Sequence, residues 1–373
     1  MSTVYLHIGT AKTGTSSLQR FFATNRKVFR KKGFDIPEMP FHFDDAADLR
    51  NAHFLSLWED RSEPEGRWKR GFARVRESLG AYENVILTDE QLWIMQIHEH
   101  FWERLKQELG PMGARLHVIV YLRPQDEIAE SHWNQRVKGR PKLEQTFSEF
   151  LAEGYDFFPL DYGKTIDHIA EQVGRDNLTV RAFERQQFTG GSLYADFLEV
   201  LGLGLTDEFK EPGHVSNIRL PENVVEIKRL INTVDSYRKK DIPNFYWDAI
   251  RQAYGLGTMK NIPKHETGMF SPEERRAYME EFAETNAHVA REYFGREDGS
   301  LFFGEVSTLP KWEAGEKDLL ADIVRVFAGA DTYLFKRQKE LEEKLAAAEK
   351  RLTELENSLP VRISKKFSRS KGK

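Results

Sequence analysis

The chain contains no cysteine, so neither a disulfide nor a cysteine-ligated metal site can form within it. It has no run of about eighteen continuous apolar residues, which is the length that a membrane-spanning helix requires. The formal net charge of −4 over 373 residues argues against a surface built for general nucleic-acid binding, and no segment repeats at a fixed period. These absences favour a globular protein in a reducing compartment, and we expect a cytoplasmic location.

Short apolar runs alternate with segments of helical periodicity through the first half of the chain. Strands are predicted at 4–8, 34–36, 85–88, 116–122 and 178–182, and the pattern beyond residue 190 is mainly helical. Strands that alternate with helices form a parallel sheet that is covered on both faces. The predicted fold is therefore α/β, a three-layer sandwich with a central parallel sheet and helical additions. Ligands of such sheets bind beyond the carboxyl ends of the strands.

A loop of small and hydroxyl residues with a single lysine follows the first predicted strand. Gly9 and Gly14 have the spacing of a phosphate-binding P-loop, in which a lysine follows the second glycine. Here Thr15 follows Gly14, and the lysine stands two places earlier, at Lys12. A strand, such a loop and a helix in this order direct backbone N–H groups at an anion. The residues expected to hold this anion are Lys12, Thr13, Gly14, Thr15 and Ser16.

A second candidate anion contact follows the strongest predicted strand. Arg123 stands at the end of that strand, and Ser131 lies eight residues later, two turns into a predicted helix. A guanidinium fork and a hydroxyl in these positions can reach one anion. Arg123 can equally well pair with Asp126 or Glu127, so this segment alone does not decide its role.

Two acidic residues, Asp89 and Glu90, follow the predicted strand 85–88. This strand end resembles the acidic, metal-binding strand end of nucleoside triphosphatases, which makes a P-loop kinase or NTPase an alternative function. Asp89 can also act simply as a helix N-cap, with Glu90 in the first turn.

Together, the loop 9–17 and the Arg123 and Ser131 pair resemble two motifs of the sulfotransferases that use 3′-phosphoadenosine 5′-phosphosulfate (PAPS). The similarity is closest to bacterial sulfotransferases of surface glycans, and with the segments 217–220 and 271–275 it covers about residues 1–300. It implies that Lys12 and the loop amides hold the phosphosulfate, and that Arg123 and Ser131 bind the 3′-phosphate. The implied reaction moves a sulfuryl group, without a metal, to a hydroxyl or amine of a carbohydrate or glycolipid.

An acceptor hydroxyl also needs a general base. The resemblance implies a histidine or a glutamate, and His53 lies in a segment similar to a histidine-bearing segment of the bacterial members. A neutral histidine suits this role near pH 7. Glu90 is the alternative catalytic carboxylate, whereas His7 is expected to be structural because it lies within the first strand. Further candidates for the base are Glu38, His42 and His98.

The last forty residues differ in kind from the rest. Leucines and one alanine recur at spacings of four and three, which predicts a short coiled coil over 334–359 of about three heptads. The segment 361–373 carries six Lys or Arg residues and no acidic residue. We expect a homo-oligomer through the helix, and contact of the tail with the inner membrane face or with a glycan-assembly partner. The alternative is a solvated helix with a disordered tail.

The predicted organisation is a sulfotransferase catalytic domain at 1–310, a connecting segment at 311–333, the coiled coil at 334–359 and a basic tail at 360–373. Two other functions fit part of the pattern. A P-loop kinase or NTPase would use the loop with a metal at Asp89. A non-catalytic nucleotide-binding scaffold, assembled through the coiled coil, would keep the loop and need no base. No nucleic-acid partner is expected.

Overall fold

Five parallel strands form the central sheet of the structure, a computed structural model that describes residues 2–40, 49–56, 64–98, 100–139, 142–153, 158–212, 221–234, 250, 253, 266–304 and 307–358. The strands are β1 (Thr3–His7), β2 (Phe34–Asp35), β3 (Asn84–Thr88), β4 (Arg115–Leu122) and β5 (Leu178–Ala182). Their order across the sheet is β2-β3-β1-β4-β5, and all neighbours are parallel. The predicted α/β fold class is confirmed.

Helices precede or follow each strand. They are α1 (Thr15–Lys31), α2 (His53–Ser56), α3 (Pro64–Ala81), α4 (Leu92–Met95), α5 (Phe101–Leu109), α6 (Gln125–Lys138), α7 (Phe147–Ala152), α8 (Tyr162–Val173), α9 (Leu193–Val200), α10 (Glu222–Asn232), α11 (Pro272–Glu280), α12 (Ala283–Phe294) and α13 (Glu316–Ser358). Residues 92–109 contain two helices, as do residues 272–294, although the helical pattern of each segment suggests one. In the first case, Ile94, Ile97 and Phe101 keep a helical spacing in the sequence, but the chain turns at Gln96 and Ile97, and Ile97 is 53% exposed.

The alternation of side chains along β4 divides the core into two layers. Val118, Val120 and Leu122 belong to one apolar cluster, to which α3, α5 and α8 also contribute. Ile119 and Tyr121 belong to the other, with α1 and α9. Each face of the sheet therefore packs against its own helices, which gives the three-layer architecture.

The chain divides into two compact units, Met1–Glu222 with His265–Trp312, and Asn223–Lys264 with Glu313–Lys373. In the second unit, Asn223 Nδ2 donates to Asp322 Oδ2 over 3.0 Å, and Val326, one turn beyond Asp322, is buried. Helix α13 begins at Glu316, so most of the predicted connecting segment 311–333 is helical. The basic tail 360–373 lies outside the described residues, and the other predicted boundaries stay a prediction.

Among the helices that the structure describes, none is both long enough and apolar enough to cross a membrane.

A glycine in α3 allows the short helix α2 to pack closely against it. The Cβ of any other residue at position 71 would lie 2.5 Å from Cδ2 of Phe54, whose side chain is fully buried. The same ring meets Phe72 edge to face at a centroid distance of 5.4 Å. Phe54 follows His53 directly, so this contact fixes the helix that carries the predicted base.

We expect Gly71→Ala to lower the free energy of unfolding by about 1–2 kcal/mol, because overpacking of the Phe54 ring outweighs the helix propensity of alanine. Gly80→Ala is the matched control in the same helix, since a Cβ at Gly80 meets nothing within 4 Å. It should raise the free energy of unfolding by up to about 1 kcal/mol. Denaturant unfolding of both variants measures the difference, and equal effects would contradict the close packing described for Gly71.

Candidate functional site

The loop after β1 is held in place from both sides of the sheet. Strand β1 pairs with β3 on one edge and with β4 on the other. The pairing continues past its end, because the Asp89 amide donates to the His7 carbonyl over 3.0 Å and the Tyr121 amide donates to the Gly9 carbonyl over 2.7 Å. The Thr10 amide returns a bond of 2.9 Å to the Tyr121 carbonyl. The loop therefore lies beside the first residues that follow β3 and β4.

Four consecutive backbone amides of this loop, those of residues 13–16, have no hydrogen-bond acceptor among the described residues. They lead into α1, which has neither a side-chain cap nor an acidic residue in its first turn. The next two amides, of Ser17 and Leu18, both donate to the Gly14 carbonyl. Unsatisfied amides at the positive end of a helix dipole form an anion-binding site.

The threonine and glycine within the loop fix its shape. The buried Thr13 hydroxyl donates to the Thr10 carbonyl over 2.6 Å, so this side chain braces the loop and only its amide is left for a ligand. Gly14 has a φ of 71°, and a Cβ there would lie 2.5 Å from Cδ2 of Leu193. The left-handed backbone conformation thus favours glycine at this position, where a Cβ would also displace the end of the Leu193 side chain.

Lys12 occupies the left-handed backbone region, with a φ of 68°. This conformation costs about 1 kcal/mol or more for a residue with a side chain. Arg123 Nη1 donates to the Lys12 carbonyl over 2.9 Å, and Arg123 Nε donates to Glu127 Oε2 over 2.6 Å. The alternative pairing of Arg123 with Glu127 is therefore present, and Arg123 is at the same time brought to the loop. The Tyr162 hydroxyl bonds to the Arg123 carbonyl and fixes its backbone.

Lys12 and Arg123 act on the pKa values of titratable groups near the loop. Burial lowers the pKa of Lys12, the charge of Arg123 lowers it further, and Glu90 acts in the opposite direction. Burial, followed by the charges of Lys12, Arg136 and Arg123, lowers the pKa of His132 to about 3. His132 is therefore neutral at physiological pH, and an anion beside Lys12 and Arg123 would relieve the repulsion between them.

Ser131 lies on α6, partly exposed, and its hydroxyl has no hydrogen-bond partner within the described part of the chain. None of the contacts described there joins it to Arg123 or to the loop. Helix α6 itself is anchored by the buried Arg275, which bonds to Asp126 Oδ2 and, over 2.5 Å, to Glu130 Oε1. The segment 271–275 thus positions the helix that carries Ser131.

His53 is held by a carboxylate at the end of β3. Its Nδ1 lies 2.8 Å from Asp89 Oδ2, and Arg50 Nη2 donates to Asp89 Oδ1 over 2.5 Å. Burial alone would raise the pKa of Asp89, but the hydrogen bond from His53 and the charge of Arg50 hold it below its usual value. An ionised carboxylate only accepts hydrogen bonds, so the neutral imidazole carries its proton on Nδ1 and Nε2 is its basic nitrogen. Sequence reasoning missed Arg50, which carries no motif.

Both oxygens of Asp89 are taken up by protein donors. Oδ1 accepts from Arg50 and from the Gln91 amide at 2.8 Å, and Oδ2 bonds to His53 and to the Ser56 hydroxyl. The alternative role of Asp89 as a helix N-cap with Glu90 in the first turn is wrong, because Gln91 is the N-cap residue of α4 and no acidic residue lies in its first turn. Among the described residues, no group of three or more His, Asp or Glu side chains is arranged to hold a metal ion.

Glu90 lies against the loop. A Cβ on Gly9 would meet the Glu90 Cα at 3.2 Å, and Glu90 Oε2 accepts from Gln19 Nε2 over 3.0 Å. Its side chain is 23% exposed, and its charge acts on Lys12. Glu90 is thus a carboxylate within the electrostatic range of the loop lysine.

Among the other candidates for the base, Glu38 is less suitably placed. Glu38 is exposed and pairs with Arg26, and His42 lies outside the described residues. His7 is buried within β1, where it bonds to Thr88 Oγ1 over 2.9 Å, and burial lowers its pKa to about 3. This environment agrees with the structural role expected for His7.

Comparison with known proteins shows partial similarity. No family model matches the chain. An uncharacterized protein of Archaeoglobus fulgidus is 26% identical over 179 residues, which is 48% of this chain, and the match spans 46% of the length of that relative. The crystal structure of a sulfotransferase from Alicyclobacillus acidocaldarius aligns over 64% of this chain and all of its own, with 17% identity and a TM-score of 0.37. The two folds therefore agree only in part.

We expect Asp89→Asn to abolish the preference of His53 for the tautomer protonated on Nδ1, because an amide can donate to that nitrogen as well as accept from it. The variant should also lose roughly 1–3 kcal/mol of stability, because it removes the charge from the carboxylate that bonds to Arg50, whereas Glu90 Oε2 stays 3.7 Å from Arg50 Nε. Nitrogen NMR of the imidazole and denaturant unfolding measure the two effects.

Asp35→Asn is the matched control for this experiment. Asp35 is also a buried aspartate at a strand, bonded to Arg30 over 2.8 Å and to Ser78 over 2.7 Å. Its replacement should lower stability and leave the His53 tautomer unchanged. An unchanged tautomer in Asp89→Asn would show that Asp89 does not orient the imidazole.

Proposed function

We propose that this chain is a sulfotransferase that moves a sulfuryl group from PAPS to a hydroxyl or amine of a carbohydrate or glycolipid acceptor. One observation carries the proposal: four consecutive loop amides without a protein acceptor lie next to Lys12, whose carbonyl is held by Arg123. These groups suit an elongated anion with two charged ends, in which one end meets the amides and Lys12 and the other meets Arg123.

The position of the lysine favours a sulfuryl donor over a nucleoside triphosphate. A transferring sulfuryl group carries less negative charge than a terminal phosphoryl group, so one lysine and a row of amides can balance it. The motif of a triphosphatase would place a lysine after Gly14 and offer Asp89 to a metal. In this chain Thr15 follows Gly14, and both Asp89 oxygens are engaged by protein donors. These two features weigh against the kinase or NTPase alternative.

The chain supplies three groups for the transfer. Lys12 stabilises negative charge on the leaving phosphate oxygen as the bond to sulfur breaks. His53 Nε2 accepts the proton of the acceptor hydroxyl, and Asp89 stabilises the resulting imidazolium through Nδ1. Glu90, beside the loop, is the alternative base, and Ser131 adds a hydroxyl for the 3′-phosphate. A cytoplasmic location and contact of the tail 360–373 with the inner membrane face belong to the same proposal.

We expect Lys12→Ala to reduce sulfuryl transfer at least about a hundredfold, the loss typical of removing one preorganised charge stabiliser. Transfer from sulfur-labelled PAPS to a panel of glycans and glycolipids is the measurement. Lys27→Ala, which removes an exposed lysine of α1, is the control and should keep full activity. Full activity of Lys12→Ala would contradict the proposal, as would calorimetric binding of ATP in preference to 3′,5′-bisphosphoadenosine.

Arg123→Ala should weaken the binding of 3′,5′-bisphosphoadenosine at least about tenfold more than that of 5′-AMP, because a charge-assisted hydrogen bond contributes roughly 1.5–3 kcal/mol. Calorimetry with the two nucleotides measures this difference. Glu127→Gln is the matched control, since it removes the charge that Arg123 pairs with and should not weaken either ligand. Equal weakening of both nucleotides by Arg123→Ala would mean that Arg123 only braces the Lys12 backbone.

A further inference from the structure

Helix α13 exposes an apolar stripe along its second half. Four leucines, each between 52% and 60% exposed, follow one another at spacings of seven, four and seven residues. They are Leu334, Leu341, Leu345 and Leu352. Their spacing places them at positions a and d of a heptad repeat, with Ala348 at the d position between the last two. Such a narrow stripe is the width that one neighbouring helix covers.

The charges beside this stripe are sorted by sign. Position g, just before each a residue, is basic at Arg337 and Lys344. Position e, just after each d residue, is acidic at Glu342 and Glu349. The sequence repeats the arrangement once more, with a basic residue at 351 and an acidic one at 356.

This sorting determines the orientation of a second helix. In a parallel pair, each g residue faces the e residue five positions later on the other helix, so Arg337 meets Glu342 and Lys344 meets Glu349 of the second copy. In an antiparallel pair, g faces g and e faces e, which brings like charges together. The existing contact of Arg337 with Glu340 in its own helix is exposed and worth at most about 1 kcal/mol, so it can be exchanged.

Two of the a positions carry polar residues. One sets the register in which two helices can pair, and the other marks where the apolar stripe begins. Gln338 lies at a, and only in an in-register pair do the two Gln338 amides meet and bond to each other. Asp331 lies at the preceding a position, where two carboxylates would meet, so the apolar contact begins at Leu334.

We propose that two copies of this chain associate through residues 334–358 as a parallel, in-register coiled coil. The partner of the exposed stripe is the same helix of a second copy, because its own charges complement it in that orientation alone. The chain segments that precede Glu316 then leave the coiled coil from the same end. This association is independent of the activity proposed for the first unit.

Charge variants of the full chain test the proposal. Glu342→Lys with Glu349→Lys makes both flanks of the stripe basic, and Arg337→Glu with Lys344→Glu makes both acidic. Each double variant alone should show half the mass of the parent dimer by light scattering, and an equimolar mixture of the two should restore the dimer mass. The variant with all four changes exchanges the signs, keeps every g–e pair attractive and should stay dimeric. These positions are on the surface of α13, so the first unit is expected to fold in all variants.

Disulfide trapping tests the orientation. The chain has no cysteine, so Leu334→Cys introduces its single thiol, and mild oxidation should link two copies through this d position. Ala347→Cys, at position c on the outer side, is the control and should stay monomeric on a non-reducing gel. Any of three results would overturn the proposal. The parent chain could be monomeric or trimeric, the dimer could persist in both double variants, or Leu334→Cys could fail to link two copies.

Discussion

Strand β1 is hydrogen-bonded along both edges, and the site depends on this constraint. The pairing with β3 and β4 continues into the loop, where Gly9 and Thr10 bond to Tyr121. The loop has no freedom to fold back and satisfy its own amides, and α1 begins at Thr15 with its first amides unsatisfied, as at every helix start. A backbone fixed in this way presents amides to an anion without any rearrangement, which is what preorganised binding of a charged group requires.

The charges of the site follow from the same backbone. Arg123 stands at the end of β4 and reaches the carbonyl of Lys12, so the sheet that positions the loop also holds two cations near each other. Burial and, after it, the repulsion between them disfavour the charged form of Lys12, and burial together with the same charges keeps His132 neutral. Glu90 at the end of β3 opposes the effect on Lys12. The ends of β3 and β4, on either side of β1, thus place a negative and a positive charge beside the same loop.

The local sequence pattern was sufficient to predict much of the fold. The five strands were predictable because buried parallel strands are continuous apolar runs. The glycine loop was predictable because its composition differs from that of the strand before it and the helix after it. The interruptions between α4 and α5 and between α11 and α12 were not predictable in this way. In the first of them, Ile94, Ile97 and Phe101 keep a helical spacing across the turn. For the site, Lys12 and Arg123 were identified from position relative to a strand end, and the structure brings both to the loop.

By itself, the sequence determined the features that depend on neighbouring residues only. These are the apolar strands, the residue types of the glycine loop, and the heptad spacing of α13 with basic residues on one flank and acidic residues on the other. Tertiary structure alone decided which distant groups meet. Asp89 holds His53, Arg275 anchors α6 through Asp126, and Gly71 admits the ring of Phe54. None of these pairs is close in sequence, and each residue has several chemically equivalent partners elsewhere in the chain. Only the packing of helices on the sheet selects among them, because hydrogen bonds and close contacts extend over a few ångströms.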